Sequence, residues 1–449
     1  MVSPKRRRSK NRQSLNLWIN GQLAGSWHAH KNRPQEFRYE DAWIHSPHGR
    51  MISLSMPFQP GNLSYKGDVV ANFFDNLLPD SDPIRQRIQK NYGIKGSSTF
   101  DLLAEIGRDC VGAIQLLPED KKPDGWNRIE ARPLTDLKVE THLTAAVSTK
   151  LPGEEQDEFR ISMAGAQEKT ALLWHRGQWH VPVGATPTTH IMKLALGRVG
   201  NMQADMSTSI ENEWLCSKIM QAYGIETAHC DMAQFGDTKT LIVQRFDRKL
   251  SAKGDYWLRL PQEDMCQALG EPASRKYESD HGIGMGQILE LLRGSSLAEQ
   301  DRRAFYKIQI IFWMLAATDG HAKNFSIFHE ASGMYRMTPL YDVLSAWPII
   351  GERANHLSWH DAKLAMAFRA KNTHYKLKDI YPRHFKSAAD KLGLAGEVDS
   401  IIEEILAATS TVISDVGSML PALFPPRVSD TVFAGLEKSA KKIQKAVNS

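Results

Sequence analysis

Residues 15–27, LNLWINGQLAGSW, alternate apolar and polar side chains on either side of an Asn20-Gly21 pair. That pattern predicts a β-hairpin, because a tight two-residue turn needs positive φ at both positions and Asn and Gly tolerate it. The run MISLSMPF at 51–58 alternates in the same way and predicts another strand. NFFDNLLPDS at 72–81 and FDLLAEIGRDCVGAIQLLPED at 100–120 predict short helices, the second ending in a Gly-containing turn and a strand. Residues 14–120 are therefore expected to form a small α+β domain. The polar, Pro-containing stretch 121–150 is expected to connect it to the next region.

Residues 151–258 are strand-rich. FRISMAGAQEKTALLW, from 159, predicts a strand, a loop of small residues and a second strand, and HIMKLAL (190–196) and TLIVQRFDR (240–248) predict two more. Between them ENEWLCSKIMQAYG (211–224) has helical period, with Gly224 as its stop. From 259 to 449 the pattern is mainly helical: IGMGQILELLRGSS, then AFYKIQIIFWMLAATDG ending at Asp319-Gly320, then the tail helices. Short strands FSIF (325–328) and YRMTPL (335–340) interrupt it. Strands first and helices second is the layout of a bilobal α+β nucleotide-binding enzyme.

With 449 residues, 42% apolar and 24% charged, the chain is too long for one core and too apolar for general disorder. A net charge of +5 is mild, but Lys5, Arg6, Arg7, Arg8, Lys10 and Arg12 crowd residues 1–13. That run predicts a disordered basic arm, either solubilising or touching nucleic-acid phosphates. No apolar run approaches the roughly 18 residues of a membrane span, so no membrane partner is expected. The four cysteines (Cys110, Cys216, Cys230, Cys266) form no CxxC pair, which argues against a zinc site or disulfide framework and for the cytoplasm.

The chemistry concentrates in Ala317-Thr318-Asp319-Gly320-His321-Ala322-Lys323-Asn324. Phosphoryl transfer needs a carboxylate beside the attacking hydroxyl and oxygen ligands for magnesium, and kinases set these on one loop as Asp-x-x-x-x-Asn. Asp319 and Asn324 have that spacing, and Asp342 at a later strand end can supply the second metal oxygen. Such hard oxygens with a triphosphate suit Mg²⁺. Lys193 in HIMKL is a strand lysine for the phosphates of ATP, and Glu213 or Glu211 on the following helix can orient it. Lys169-Thr170 imitates the end of a Walker A loop, but Glu168 precedes the lysine and the spaced glycine is missing, so that motif is rejected. Small residues at 164–166 still let backbone N–H groups approach phosphate, and Gln244, Arg245 and Phe246 at a strand exit suit a hinge beside adenine.

The segments NFFDNLLPDS, FDLLAEIGRDCVGA, FRISMAGAQEKTALL, PTTHIMKL, RFDR, LRLPQEDMCQ, ATDGHAKNFS, YDVLSAWP, KLAM and IYPRHF together resemble the HipA-family toxin kinases of bacterial HipBA toxin–antitoxin modules. The resemblance runs from about residue 17 to 386; the basic arm and the tail after Leu392 fall outside it. It implies a fold like that of phosphatidylinositol-3/4-kinases, with an added N-terminal α+β subdomain and a mainly helical C-terminal lobe. It implies Asp319 as catalytic base, with Asn324 and Asp342 holding Mg²⁺. Lys193 would bind phosphate, with His321 and Lys323 nearby and Tyr341 beside Asp342. Ala164, Gly165, Ala166, Gln167, Glu168 and Lys169 would form the phosphate loop, Gln244, Arg245 and Phe246 the adenine side, and Gln262 the ribose side. Ser162 would be autophosphorylated, ejecting that loop and switching the kinase off. The implied protein target is a translation factor such as glutamyl-tRNA synthetase, with growth arrest and persistence as the outcome. The implied partners are a helix-turn-helix antitoxin dimer and, through it, operator DNA under joint repression. A catalytically weak corepressor and a small-molecule phosphotransferase are the competing expectations.

Overall fold

The first strands, β1 (Ser14–Ile19) and β2 (Gln22–His28), pair antiparallel with Ile19 opposite Gln22. Asn20 (φ 45°) and Gly21 (φ 78°) take the left-handed conformation that the sequence pattern predicts. Gly21 is also needed for space, since a Cβ there would lie 2.1 Å from the Trp126 indole nitrogen. With β3 (Glu36–Tyr39), β4 (Tyr65–Lys66) and β5 (Ile114–Pro118) they make a five-stranded sheet ordered β4-β3-β2-β1-β5. Helices α1 (Asp68–Asp75) and α2 (Thr99–Ile106) share its core, where Trp27 stacks on Phe74 at 3.9 Å.

This computed structural model describes residues 14–29, 32–147, 163–164, 167–200 and 202–448. The basic arm, the strand expected just before Met163, and Ser162, Gly165 and Ala166 lie outside the described residues.

Two expectations fail for physical reasons. Residues 51–58 form no strand. Their backbone is satisfied by side chains instead: the Tyr39 hydroxyl accepts from Ile52 N and donates to Met56 O, and Glu263 accepts from Leu54 N. Residues 121–150 are more than a connector, because they supply strand β6 (Ala131–Pro133) and helix α3 (Asp136–Val147). β6 joins an antiparallel six-stranded sheet with β7 (Lys169–His175), β8 (Gln178–Pro182), β9 (His190–Lys193), β10 (Cys230–Phe235) and β11 (Thr238–Gln244), ordered β10-β11-β9-β7-β8-β6. Val139 and Leu143 of α3 pack on Leu172, Val181 and Met192 of that sheet. Helix α4 (Ser209–Ala222) has an almost wholly buried first half and stops before Gly224, as its spacing predicts.

The remaining chain is built on a three-stranded sheet of β12 (Gln262–Asp264), β13 (Ser326–His329) and β14 (Tyr335–Met337). Around it lie the 18-residue helix α5 (Ala298–Leu315), a hairpin of β15 (Lys363–Arg369) and β16 (Thr373–Lys376), and helices α6 (Pro382–Lys391), α7 (Val398–Ser418) and α8 (Pro426–Val447). β14 ends at Met337, short of the expected Leu340, because Pro339 has no N–H for a ladder. Among the described residues no helix is long and apolar enough to cross a membrane.

A buried ionic cluster joins the first domain to this frame. Asp109, just after α2, accepts from Arg248 (2.9 Å), Arg259 (3.2 Å) and Thr188 Oγ1 (2.7 Å), while Arg245 pairs with Asp247 at 2.7 Å. Burial alone would raise the Asp109 pKa; Arg248, Arg245 and Arg259 overcome it and hold the carboxyl well below its usual range.

Candidate active site

The end of α5 sets the catalytic loop. Ala316 takes φ 49°, a left-handed cap whose N–H bonds to the carbonyl of Trp313, and this turns the chain sharply into Asp319. Gly320 is required for close approach, because a Cβ there would meet the Phe312 ring at 2.3 Å. His321-Ala322-Lys323-Asn324 then forms one tight turn leading into β13.

One cavity lies between the six-stranded sheet and this loop. Its walls include Met163, Ala164, Lys169, Ile191, Lys193, Val243, Gln244, Arg245, Phe246, Gln262, His321, Lys323, Asn324, Tyr341 and Asp342. Lys193, buried at the end of β9, binds Glu213 Oε1 of α4 at 2.6 Å and also contacts the Asp342 carboxylate. The choice between the two helix carboxylates is thereby settled: Glu213 orients Lys193, whereas Glu211 binds Lys239. Asp342 sits at φ 59°, a strained conformation for a residue with a side chain, of the kind that functional sites retain.

Asn324 Nδ2 donates to the carbonyls of Asp319 (2.9 Å) and Asp342 (3.3 Å). Both amide hydrogens are thus engaged, which fixes the side-chain orientation and leaves Oδ1 as a free acceptor. Asn324 Oδ1 and the Asp342 carboxylate are hard oxygen donors and fit Mg²⁺, which takes few protein ligands and completes its shell with water and phosphate. Among the described residues no group of three or more His, Cys, Asp or Glu is placed to hold a metal ion.

The cations on the walls differ in state. Lys323 is buried and bonds Asn76 Oδ1 (2.7 Å) and Asp264 Oδ2 (3.1 Å). Burial opposes its charge, but Asp264 and Asp80 prevail and raise its pKa. Lys169 is half-buried as a residue, and desolvation of its ammonium, with Lys193 nearby, lowers its pKa to about 7. For His321, burial outweighs the attraction of Asp319 and lowers the pKa to about 4, so the ring is neutral at pH 7; its Nδ1 makes no hydrogen bond. Tyr341 donates to the Lys323 carbonyl at 2.9 Å and Gln262 Oε1 is buried without a partner.

The side-chain polar groups of three expected site residues are bonded outside the cavity. The Gln167 amide bonds the Leu194 carbonyl at 2.7 Å, and Glu168 pairs with Arg87 of the first domain; neither side chain lines this cavity. Arg245 reaches the wall, but its guanidinium belongs to the Asp109–Asp247 cluster. Sequence reasoning missed Asn76, Asp80, Asp264 and Tyr277. The first two stand in NFFDNLLPDS, some 240 residues before the loop they support, and the Tyr277 hydroxyl donates to Asp319 Oδ1.

A strand lysine oriented by a helix carboxylate, facing an Asp-x-x-x-x-Asn loop across a cavity, defines a kinase. Residues 161–413 match the family described as the HipA-like C-terminal domain, and residues 15–117 the HipA N-terminal domain. The chain belongs to the HipA family of serine/threonine-type toxin kinases. It is 32% identical over 339 residues to putative kinase Y4mE of Sinorhizobium fredii, covering 74% of this chain and 77% of that one. It is 28% identical over 398 residues to the serine/threonine-protein kinase toxin HipA of Shewanella oneidensis, covering 86% and 84%. In solved structures its fold resembles HipA in the Shewanella oneidensis MR-1 complex of HipA, HipB and operator DNA, with TM-score 0.77, 22% identity and 97% and 99% coverage.

Proposed function

We propose that this chain transfers the γ-phosphoryl group of ATP to a serine or threonine hydroxyl of a protein, with Asp319 as the base. Lys193, held by Glu213, binds the α/β-phosphates, and Lys169, His321 and Lys323 line the rest of the phosphate end. Ile191, Val243 and Phe246 offer an apolar slot for adenine, with Gln262 toward the ribose. Asn324 and Asp342 would hold magnesium, which would supply positive charge against the triphosphate. Asp319 accepts the acceptor's proton as the new O–P bond forms and the bond to ADP breaks. The observation that carries this reading is the convergence of Lys193, Asn324 and Asp342 on one cavity, with Asp319 exposed beside it.

Three finer assignments are part of the proposal. Ser162 directly precedes Met163 and Ala164 of the cavity wall, so its phosphorylation in cis would add negative charge to the phosphate site and switch it off. A helix-turn-helix antitoxin dimer is the proposed partner and an aminoacyl-tRNA synthetase, such as that for glutamate, the proposed target. Support for the antitoxin is the complex with HipB and operator DNA in which the similar Shewanella protein was solved.

Incubating the purified chain with γ-labelled ATP and Mg²⁺ tests the reading. Label is expected on Ser162 and on an added glutamyl-tRNA synthetase, and Asp319→Asn should lower both rates by about a hundredfold or more. Equal labelling by the wild type and Asp319→Asn would refute it.

A further inference from the structure

Asp319 is the most open carboxylate of the site, with 55% of its side chain exposed against 31% for Asp342. One of its two oxygens is nevertheless already engaged, since the hydroxyl of Tyr277 donates to its Oδ1. Tyr277 comes from the segment between β12 and α5, and this segment is anchored on three sides. The Lys276 carbonyl accepts from Ala322 N of the catalytic loop at 3.2 Å, and the Lys276 ammonium pairs with Asp80 at 2.7 Å. Glu278, buried, accepts from Ala367 N of β15 at 2.6 Å and pairs with Arg369 at 2.5 Å. The Tyr277 backbone is thus fixed, while its ring is half-buried, edge-on to His321 at 5.0 Å and 5.5 Å from the Lys276 ammonium.

A carboxylate that takes a proton from an alcohol must first accept a hydrogen bond from that alcohol's O–H. The Tyr277 phenol makes such a bond from within the protein. We propose that Tyr277 is a stand-in for the acceptor. Its hydroxyl holds the site on Asp319 that a substrate serine or threonine must take, so the side chain rotates aside as the acceptor binds. Tyr277 thereby sets acceptor affinity and withholds the same Oδ1 position from an attacking water between turnovers. The inference rests on Asp319 being the base.

The test uses the full chain with ATP and Mg²⁺, reading phosphate release to water and transfer to casein. Tyr277→Phe keeps the ring and removes the bond. It is expected to raise release to water several-fold and to lower the KM for casein several-fold, with the KM for ATP and the melting temperature unchanged; Tyr277→Ala should act in the same direction. Wild-type values for both readouts would overturn the proposal. So would a fall in kcat at unchanged KM, which would make Tyr277 a support for Asp319. An Asp319→Asn variant separates the failures: full activity in that variant removes the base and the stand-in together, whereas loss there with wild-type behaviour in Tyr277→Phe removes the stand-in alone.

Discussion

Lys169 is a lysine whose charge depends on what fills the cavity. Burial, then the Lys193 ammonium, lowers its pKa to about 7, so at pH 8 the free protein holds it mostly neutral. A bound triphosphate favours the charged form, so binding at pH 8 should take up as much as about one proton. Because the charged lysine is the better phosphate partner, ATP affinity should weaken as pH rises through about 7. Calorimetry in buffers of different ionisation enthalpy measures the uptake; it should vanish in Lys169→Met, and a wild type that takes up no proton at pH 8 would contradict the assignment.

At the scale of elements, the catalytic loop starts just after a left-handed residue, Ala316, and leads into β13. Gly320 locks it onto α5, and Gly320→Ala should push the loop off Phe312, since the two atoms would stand 2.3 Å apart. Displacing Asp319 by about 1 Å should lower kcat about a hundredfold with a small change in melting temperature; kinetics beside a thermal melt checks it. This loop was legible because Asp319 and Asn324 are close in sequence and the chemistry demands that spacing. Lys193 and a carboxylate on the next helix were legible through their order, but order alone left Glu213 and Glu211 open, and only the fold pairs Glu213 with Lys193. Asn76, Asp80, Asp264 and Tyr277 were not legible, because their partners lie far along the chain and no local pattern marks an Asn or Tyr that will meet a loop by tertiary folding. The failure at 51–58 has the same origin: alternation there predicts strand pairing, but Tyr39 and Glu263 satisfy the backbone first. The bonds of the Gln167 and Glu168 side chains to Leu194 and Arg87 are likewise tertiary and unmarked by any local pattern.

Across the whole molecule, the N-terminal domain is part of the active site's frame. Asn76 and Asp80 hold Lys323 and Lys276, and Asp109 ties Arg245, Arg248 and Arg259 together. Asp109→Ala would leave three arginines buried with one carboxylate, Asp247, and should cost about 3–5 kcal/mol in denaturant unfolding. The Asp109 pKa is lowered in the folded state, so its stabilising contribution is present above the normal carboxylate range and is lost as pH falls through the lowered value. The central claim is that Lys193, Asn324 and Asp342 frame one nucleotide–metal site facing Asp319. It is tested most directly by anomalous diffraction from crystals holding Mn²⁺ and a non-hydrolysable ATP analogue. A manganese peak within coordination distance of Asn324 Oδ1 and the Asp342 carboxylate, with a phosphate oxygen on Lys193, is the predicted result; a metal or nucleotide bound anywhere else would contradict it.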